Sequence, residues 1–240
     1  MDGVTQDSFF GGRLRLKQHR HGYRYSIDAV ILAGAVHPKP GETVVDLGTG
    51  CGIIPLILAF RRPGVRIWGV ELQAALSALA EENVCENDMA SRVKVVCADM
   101  RDIRPERVGG PVDMVVSNPP YRRGRSGRVN PDRQRALARH EIAITLPEVV
   151  RAARKLLKTG GRFTVIYAAG RIAELLSHMR AERIEPKRLR NIHSSDGQDA
   201  RLVLVEGIRD GGPGMVVSPA LIVFDGDGQY TEEMQAMFRV

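Results

Sequence analysis

A β-branched run, Thr43-Val44-Val45-Asp46-Leu47, breaks directly into Gly48-Thr49-Gly50-Cys51-Gly52, and the apolar stretch Ile53–Arg61 follows at once. A strand that ends in GxGxG and continues as a helix restricts the fold more than any other feature of this chain. The glycines suit a turn where a Cβ would obstruct close approach of a ligand to the backbone. The start of the following helix offers N–H groups to an anion. Pro55 is tolerated because it falls in the first helical turn. In an open α/β sheet such a turn lies beyond the carboxyl ends of the strands, where ligands bind.

The alternation continues along the chain. Strands are predicted at 65–70, 93–97, 112–117 and 162–167. Helices are predicted at 73–87, at 145–157 with Gly160-Gly161 ending it, and at 172–183. Strands alternating with helices imply an α/β, doubly wound, Rossmann-like sheet, mostly parallel, with helices on both faces. The end of the pattern differs. Runs 188–194 and 201–207 are joined by Ser195-Asp196-Gly197-Gln198-Asp199-Ala200, too short for a helical crossover, so they form a C-terminal antiparallel hairpin. Beyond a glycine-rich turn at 211–214, the tail 221–240 reads as one more short strand and a terminal helix. The 240 residues suit one domain with a small appendage, residues 1–40 preceding a domain at 41–240.

Cysteine usage and hydropathy bound the compartment. Cys51, Cys85 and Cys97 are odd in number and lack CxxC spacing, which argues against a disulfide framework or zinc site. The first ten residues do not have the basic-then-apolar pattern of a signal peptide. The apolar stretch around 53–60 is too short to span a bilayer. A cytoplasmic protein without a membrane segment is expected. The net charge of +7 favours a polyanionic partner.

Acids at successive strand ends sharpen the reading of the glycine loop. Asp46 is placed to organise the loop and to meet a cofactor ammonium through water. Glu71 ends the second strand, with Leu72 beside it, and can accept from both ribose hydroxyls. Asp99 follows the third strand and can accept from an adenine amine, with Met100 packing on the ring. A dinucleotide site uses an acid at a similar separation, but its loop reads GxGxxG. Here GxGxG, with Gly48, Thr49, Gly50 and Gly52, favours S-adenosylmethionine (SAM) over NAD. A lone GxG is a common turn and a lone acid is ordinarily solvated; their combination at successive strand ends is not explained that way.

The fourth strand ends in Ser117-Asn118-Pro119-Pro120-Tyr121. A Pro-Pro turn closing a strand is common, yet this one falls at the rim that faces the cofactor site. The Asn118 to Tyr121 run resembles the NPPY signature of methyltransferases that act on a nitrogen conjugated to a planar system, and such a nitrogen is a poor nucleophile because its lone pair is delocalised. The Asn118 side-chain carbonyl and the Pro119 main-chain carbonyl can each accept one of its N–H groups and draw it toward tetrahedral geometry. The rings of Pro119 and Pro120 stiffen the backbone that aims these acceptors. Tyr121 can stack on a base. Next, residues 122–139 carry seven arginines and one acid, Asp132. Arg122, Arg123, Arg125 and Arg128 lie closest to the motif and suit phosphates and unpaired bases. His19, Arg20, His21 and Arg24 form a second basic stretch. His140-Glu141 reads as a helix-entry pair, since this chemistry requires no general base.

These motifs resemble those of the bacterial tRNA(Val) adenine-N6 methyltransferases, which act on the adenine 3′ of the anticodon. The likeness includes Gly22-Tyr23-Arg24-Tyr25-Ser26-Ile27-Asp28, Asp46 to Leu56, the NPPY run, Ala138-Arg139-His140-Glu141 and the terminal Asp227-Gly228-Gln229-Tyr230-Thr231-Glu232-Glu233. The resemblance implies a tRNA anticodon loop as partner. It also implies that the N-terminal segment packs over the methionine end of SAM through Tyr25 and Asp28. Ile27, Val30 and Ile31 read instead as core at helical spacing. One departure stands out: many adenine-specific relatives have Phe after NPPY, where Arg122 stands here. Release-factor glutamine methyltransferases share NPPY but carry a helical domain first, and ribosomal RNA guanine-N2 enzymes often carry a second half. A DNA adenine methyltransferase, an idle RNA-binding protein of the same fold and an NAD-dependent oxidoreductase compete with the tRNA reading. Sequence leaves the oligomeric state undetermined.

Overall fold

The computed structural model describes residues 3–20, 25–120 and 144–239. The chain opens with a hairpin, β1 (Val4–Phe9) and β2 (Leu14–His19), followed by α1 (Ile27–Ala35). The alternating region runs β3 (Thr43–Leu47), α2 (Ile53–Arg61), β4 (Arg66–Glu71), α3 (Ala74–Glu86), β5 (Val93–Cys97), β6 (Val112–Ser117), α4 (Leu146–Leu156), β7 (Leu157–Ala168) and α5 (Ile172–Ala181). It closes with β8 (Ile184–Ser195), β9 (Ala200–Arg209), β10 (Val216–Phe224) and α6 (Glu232–Ala236). The main sheet has the order β10-β8-β9-β7-β6-β3-β4-β5.

The sheet winds outward from β3 in both directions, through β4 and β5 on one side and β6 and β7 on the other, all parallel. β9 is antiparallel to both neighbours, as the C-terminal hairpin requires. The reversal of winding between β3 and β6 leaves a crevice beyond their carboxyl ends. α2 is buried on nearly every face, from Ile53 to Ala59, because the sheet and α1 pack against it. α4 instead shows one apolar stripe, Leu146, Val149, Val150, Ala153 and Leu156, with Arg151 exposed. Thr145 and Glu148 close its N-terminus as a capping box. One apolar cluster fills each face of the sheet.

Three local readings change. Gly160-Gly161 does not end α4. The helix stops at Leu156, and the glycines lie in a bulge inside β7, between Leu157 paired with Val112 and Arg162 paired with Met114. Gly160 has φ +77°, and a Cβ on Gly161 would sit 2.8 Å from the Lys158 carbonyl oxygen. β8 begins four residues earlier than the predicted 188, and its register shifts between Pro186 and Arg188. β10 begins at Val216, pairs in parallel with β8, and shifts register between Ser218 and Leu221, around Pro219. Pro219 falls inside the irregularity of β10 and Pro186 borders that of β8, where a missing N–H is tolerated. The N-terminal hairpin is a further element, with Leu14 and Leu16 buried and Arg15 exposed between them. No helix among the described residues is long and apolar enough to cross a membrane.

Candidate functional site

Strand register brings the predicted residues to one rim. Leu47 pairs with Ser117 on one side and with Val70 on the other. Gly48, Asn118 and Glu71, each one residue further on, therefore stand level across three adjacent strand ends. Glu71 pairs with Cys97, which places Asp99 and Met100 just beyond β5 on the same rim. The Ser117 hydroxyl donates to the Leu47 carbonyl oxygen at 2.8 Å, tying the end of β6 to the start of the glycine loop. Asn118 is half-buried, Pro119 buried and Pro120 exposed.

The loop is preformed. Gly48 and Thr49 donate their N–H groups to the Val70 carbonyl, at 2.9 and 3.1 Å, and Gly52 donates to Thr49 at 3.0 Å. Glu71 Oε2 accepts from Gly50 N at 2.9 Å, and its Oε1 accepts from Gln73 N at 2.9 Å. Glu71 thus holds the loop in place, a role the sequence did not suggest. Each of its oxygens keeps a lone pair for a further donor. Gly52, with φ +87°, is the left-handed residue that starts α2, and a Cβ there would approach Ala80 Cβ to 3.2 Å. Gly69 carries no such signal in the sequence, yet it belongs to the cradle. A Cβ on it would meet Thr49 Cγ2 at 2.8 Å, so β4 is hollowed to seat the loop.

Asp46 is the unusual group. It is fully buried, and neither carboxylate oxygen has a hydrogen-bond partner; the buried Thr49 hydroxyl likewise has none. Burial pushes its pKa up to about 7, and the charge of Glu71 adds to the rise. The nearby Thr49 hydroxyl opposes it without reaching hydrogen-bond geometry. A buried carboxylate without a donor is costly, and a bound cation or hydroxyl would relieve the cost. That orphaned acid, beside a glycine cradle, fits the amino and ribose groups of SAM.

The other cofactor residues are less uniform. Met100 is buried, with its methyl 3.6 Å from where a Cβ of Gly48 would stand. Leu72 is exposed on the rim. Asp99 is engaged by Arg101, which donates from its backbone N at 2.9 Å and from its guanidinium to both oxygens. That hydrogen bonding holds the Asp99 carboxyl below its ordinary range. Tyr25 is half-buried against the Phe9 ring at 5.5 Å. Asp28, in the first turn of α1, borders a cleft reaching the ends of β8 and β10. Tyr121, Arg122, Arg123, Arg125, Arg128, His140, Glu141, His21 and Arg24 lie outside the described residues.

Sequence reasoning also missed Asn83. It is fully buried on α3 and binds both the Lys17 main chain and the Cys51 carbonyl oxygen at 2.9 Å. It links the N-terminal hairpin to the glycine loop, across 66 and 32 residues of sequence.

A doubly wound sheet with one antiparallel strand and a glycine cradle beside a buried acid defines a SAM-dependent class I methyltransferase. Solved structures share the fold. A predicted O-methyltransferase from Agrobacterium tumefaciens superposes with a TM-score of 0.70 at 22% identity, over 88% of this chain and 94% of that one. The geranyl diphosphate C-methyltransferase of Streptomyces coelicolor, crystallised with S-adenosyl-L-homocysteine, gives 0.54 at 17% identity, over 75% and 78%. Residues 27–180 match the model of the methyltransferase small domain, and the chain belongs to that family. A tRNA1(Val) (adenine(37)-N6)-methyltransferase of Porphyromonas gingivalis strain W83 is 30% identical over 96% of this chain and 92% of its own. One of Bacteroides thetaiotaomicron is 29% identical over 88% and 87%.

Proposed function

We propose that this chain transfers the methyl group of SAM to N6 of an adenine in tRNA, the adenine 3′ of the anticodon of a tRNA(Val), in the cytoplasm. The observation that carries the reading is the level placement of Asn118 and Gly48 on adjacent strand ends. That placement supports a role for Asn118 and Pro119 as acceptors for a conjugated amine beside the cofactor, in a chain similar over nearly its whole length to enzymes named for this reaction.

Asp46, Gly48, Thr49, Gly50, Gly52, Glu71, Leu72, Asp99 and Met100 would hold SAM, with Tyr25 and Asp28 at its methionine end. Bound there, SAM supplies an electrophilic methyl carbon on a sulfonium. Asn118 Oδ1 and the Pro119 carbonyl accept the two N6–H bonds and localise the nitrogen lone pair. The buried Ser117 to Leu47 bond keeps these acceptors in register with the loop, so they stabilise developing charge without reorganising. Holding the two reactants in one orientation supplies much of the remaining acceleration. The methylated nitrogen then releases its proton to water, so no strong base is needed. Tyr121 stacks on the adenine, and Arg122, Arg123, Arg125 and Arg128 contact the RNA backbone.

The test is methyl transfer from labelled SAM to unmodified bulk tRNA, followed by nucleoside digestion and mass spectrometry. A rise in N6-methyladenosine mapped 3′ of the valine anticodon is expected. Transfer to ribosomal RNA, DNA or a release-factor glutamine, with none to tRNA, overturns the substrate while keeping the chemistry.

A further inference from the structure

The terminal motif Asp227 to Glu233 has no part in the chemistry above, yet it is tightly built. Asp225 Oδ1 accepts the N–H groups of Asp227 and Gln229 at 3.0 and 2.9 Å. Thr231 donates from Oγ1 to the Ile222 carbonyl at 2.7 Å and from its N to Val223 at 3.1 Å. The turn so formed sets the Tyr230 ring against the Phe224 ring, 5.2 Å between centroids and 16° from parallel. Tyr230 in turn stacks on Phe238 at 5.5 Å, and Phe238 on Phe9 at 6.5 Å. Phe224 and Tyr230 each remain 36% exposed. A stack of rings braced from below and open at its outer end is a platform with room for another flat group.

What stands beside it favours a nucleobase. Phe224 walls a cleft of about 250 Å³, floored by Ile31, Ile192 and Val223. Arg201 stands at its edge, exposed, and its guanidinium has no hydrogen-bond or ion-pair partner among the described residues. Neighbouring cations on β8 are already engaged: Arg190 with Glu233, and Arg188 with the Ser218 hydroxyl. An apolar floor, an aromatic wall and one uncommitted planar cation suit an unpaired base and its phosphate, since bases of any kind stack on such a surface. A duplex, whose bases are already stacked, offers no such face.

Position connects this cleft to the methylation site. β8 and β10 run in the same direction as β6, so their carboxyl ends lie on the rim that carries Asn118. β8 is three strands from β6 in the sheet order, about 14 Å at the usual strand spacing, and β10, which carries Phe224, is four strands away, about 19 Å. The first turn of α1 borders the cleft through Ile27 and Asp28. We propose that the Phe224–Tyr230 platform and Arg201 form a second base subsite, which stacks an unpaired nucleotide flanking the target adenine in the same RNA loop. The inference rests on tRNA as the substrate.

The experiment compares wild type with Phe224→Leu, which keeps an apolar side chain but removes the ring. Substrates are an anticodon stem-loop RNA and versions in which each loop nucleotide flanking the target adenine is made abasic in turn. For wild type, one abasic position is expected to lower kcat/KM roughly tenfold, the scale of one stacked base. Phe224→Leu is expected to be roughly tenfold lower on intact RNA and indifferent to that same abasic position, with unchanged SAM affinity and only a small fall in melting temperature from the lost ring contact with Tyr230. Arg201→Ala, at an exposed position, should raise KM for RNA without lowering kcat. The subsite is overturned if both variants methylate intact RNA like wild type, or if the abasic losses are equal in wild type and Phe224→Leu. No transfer by wild type to the intact stem-loop, with SAM still bound, would sink the tRNA reading and this subsite with it.

Discussion

Asp46 carries the clearest single-residue consequence. Its folded pKa is raised to about 7 from 3.8, chiefly by burial. The unfolded chain therefore loses this proton first as pH rises, so the contribution of Asp46 to the free protein's stability falls between about pH 4 and 7 and is then level. Asp46→Asn removes the ionisation, and the free variant should melt above wild type at pH 8, by a margin that shrinks toward pH 5. A cationic ligand favours the ionised form, so SAM should bind wild type more tightly at pH 8 than at pH 6, with proton release seen by calorimetry in two buffers. A margin independent of pH would show that burial does not govern this carboxyl. Asn118 belongs to the same scale. Asn118→Ala removes one of two acceptors and should cut turnover roughly 100- to 1,000-fold, with SAM affinity nearly unchanged. Parallel loss of turnover and SAM affinity would instead make Asn118 a support of the cofactor loop.

At the scale of elements, Asn83 on α3 and Asn87, which caps the C-terminus of that helix one turn later, read alternate residues of β2. Asn83 bonds the Lys17 main chain at 2.7 and 2.9 Å, and Asn87 bonds that of Arg15 at 2.9 and 2.7 Å. Helix neighbours four apart are spaced like strand residues two apart, so α3 satisfies the edge of β2 as another strand would. Asn83→Leu strands buried backbone groups at Lys17 and Cys51. It should cost about 2–3 kcal/mol, or a fall of roughly 5–10 °C in the thermal midpoint for a domain of this size. Asn87→Ala, in a half-buried position that water reaches, should cost much less; equal losses would deny Asn83 its linking role. None of this was legible in the sequence, because an Asn in an Ala-rich helix reads as solvated and its partner lies 66 residues earlier. The elements punctuated by turn residues were legible: β3, α2, β5 and β6 begin and end where glycines, prolines and β-branched runs place them. The elements that hold a proline were not, since Pro186 and Pro219 mimic breaks and only the register shows the irregularities at or beside them. At the site, the acids and glycines at strand ends were legible from spacing. The engagement of Asp99 by Arg101 and of Glu71 by Gly50 was not, because both depend on side-chain direction.

At the scale of the whole molecule, Gly48, Glu71, Asp99, Met100 and Asn118 lie on one rim of the sheet, because parallel strands deliver their carboxyl ends together. The two termini reinforce that rim through the stacked rings of Phe9, Phe238, Tyr230 and Phe224. A net charge of +7 draws a polyanion toward the molecule, but does not orient it. Orientation calls for cations concentrated near Asn118. Residues 122–139, with seven arginines against one acid, follow the NPPY run directly in sequence. Each phosphate contact releases condensed counterions, so the slope of log affinity against log salt counts the contacts, at about 0.7 each for single strands and 0.9 for duplex. Replacing Arg122, Arg123 and Arg125 together by alanine should therefore weaken tRNA binding and reduce that slope by about 2 to 3, measured by fluorescence anisotropy over a salt series. Methyl transfer should fall mainly through KM for RNA, with SAM affinity unchanged. A slope equal to wild type would place the phosphate contacts elsewhere on the rim, and Arg201 beside the aromatic platform would then be the first cation to test.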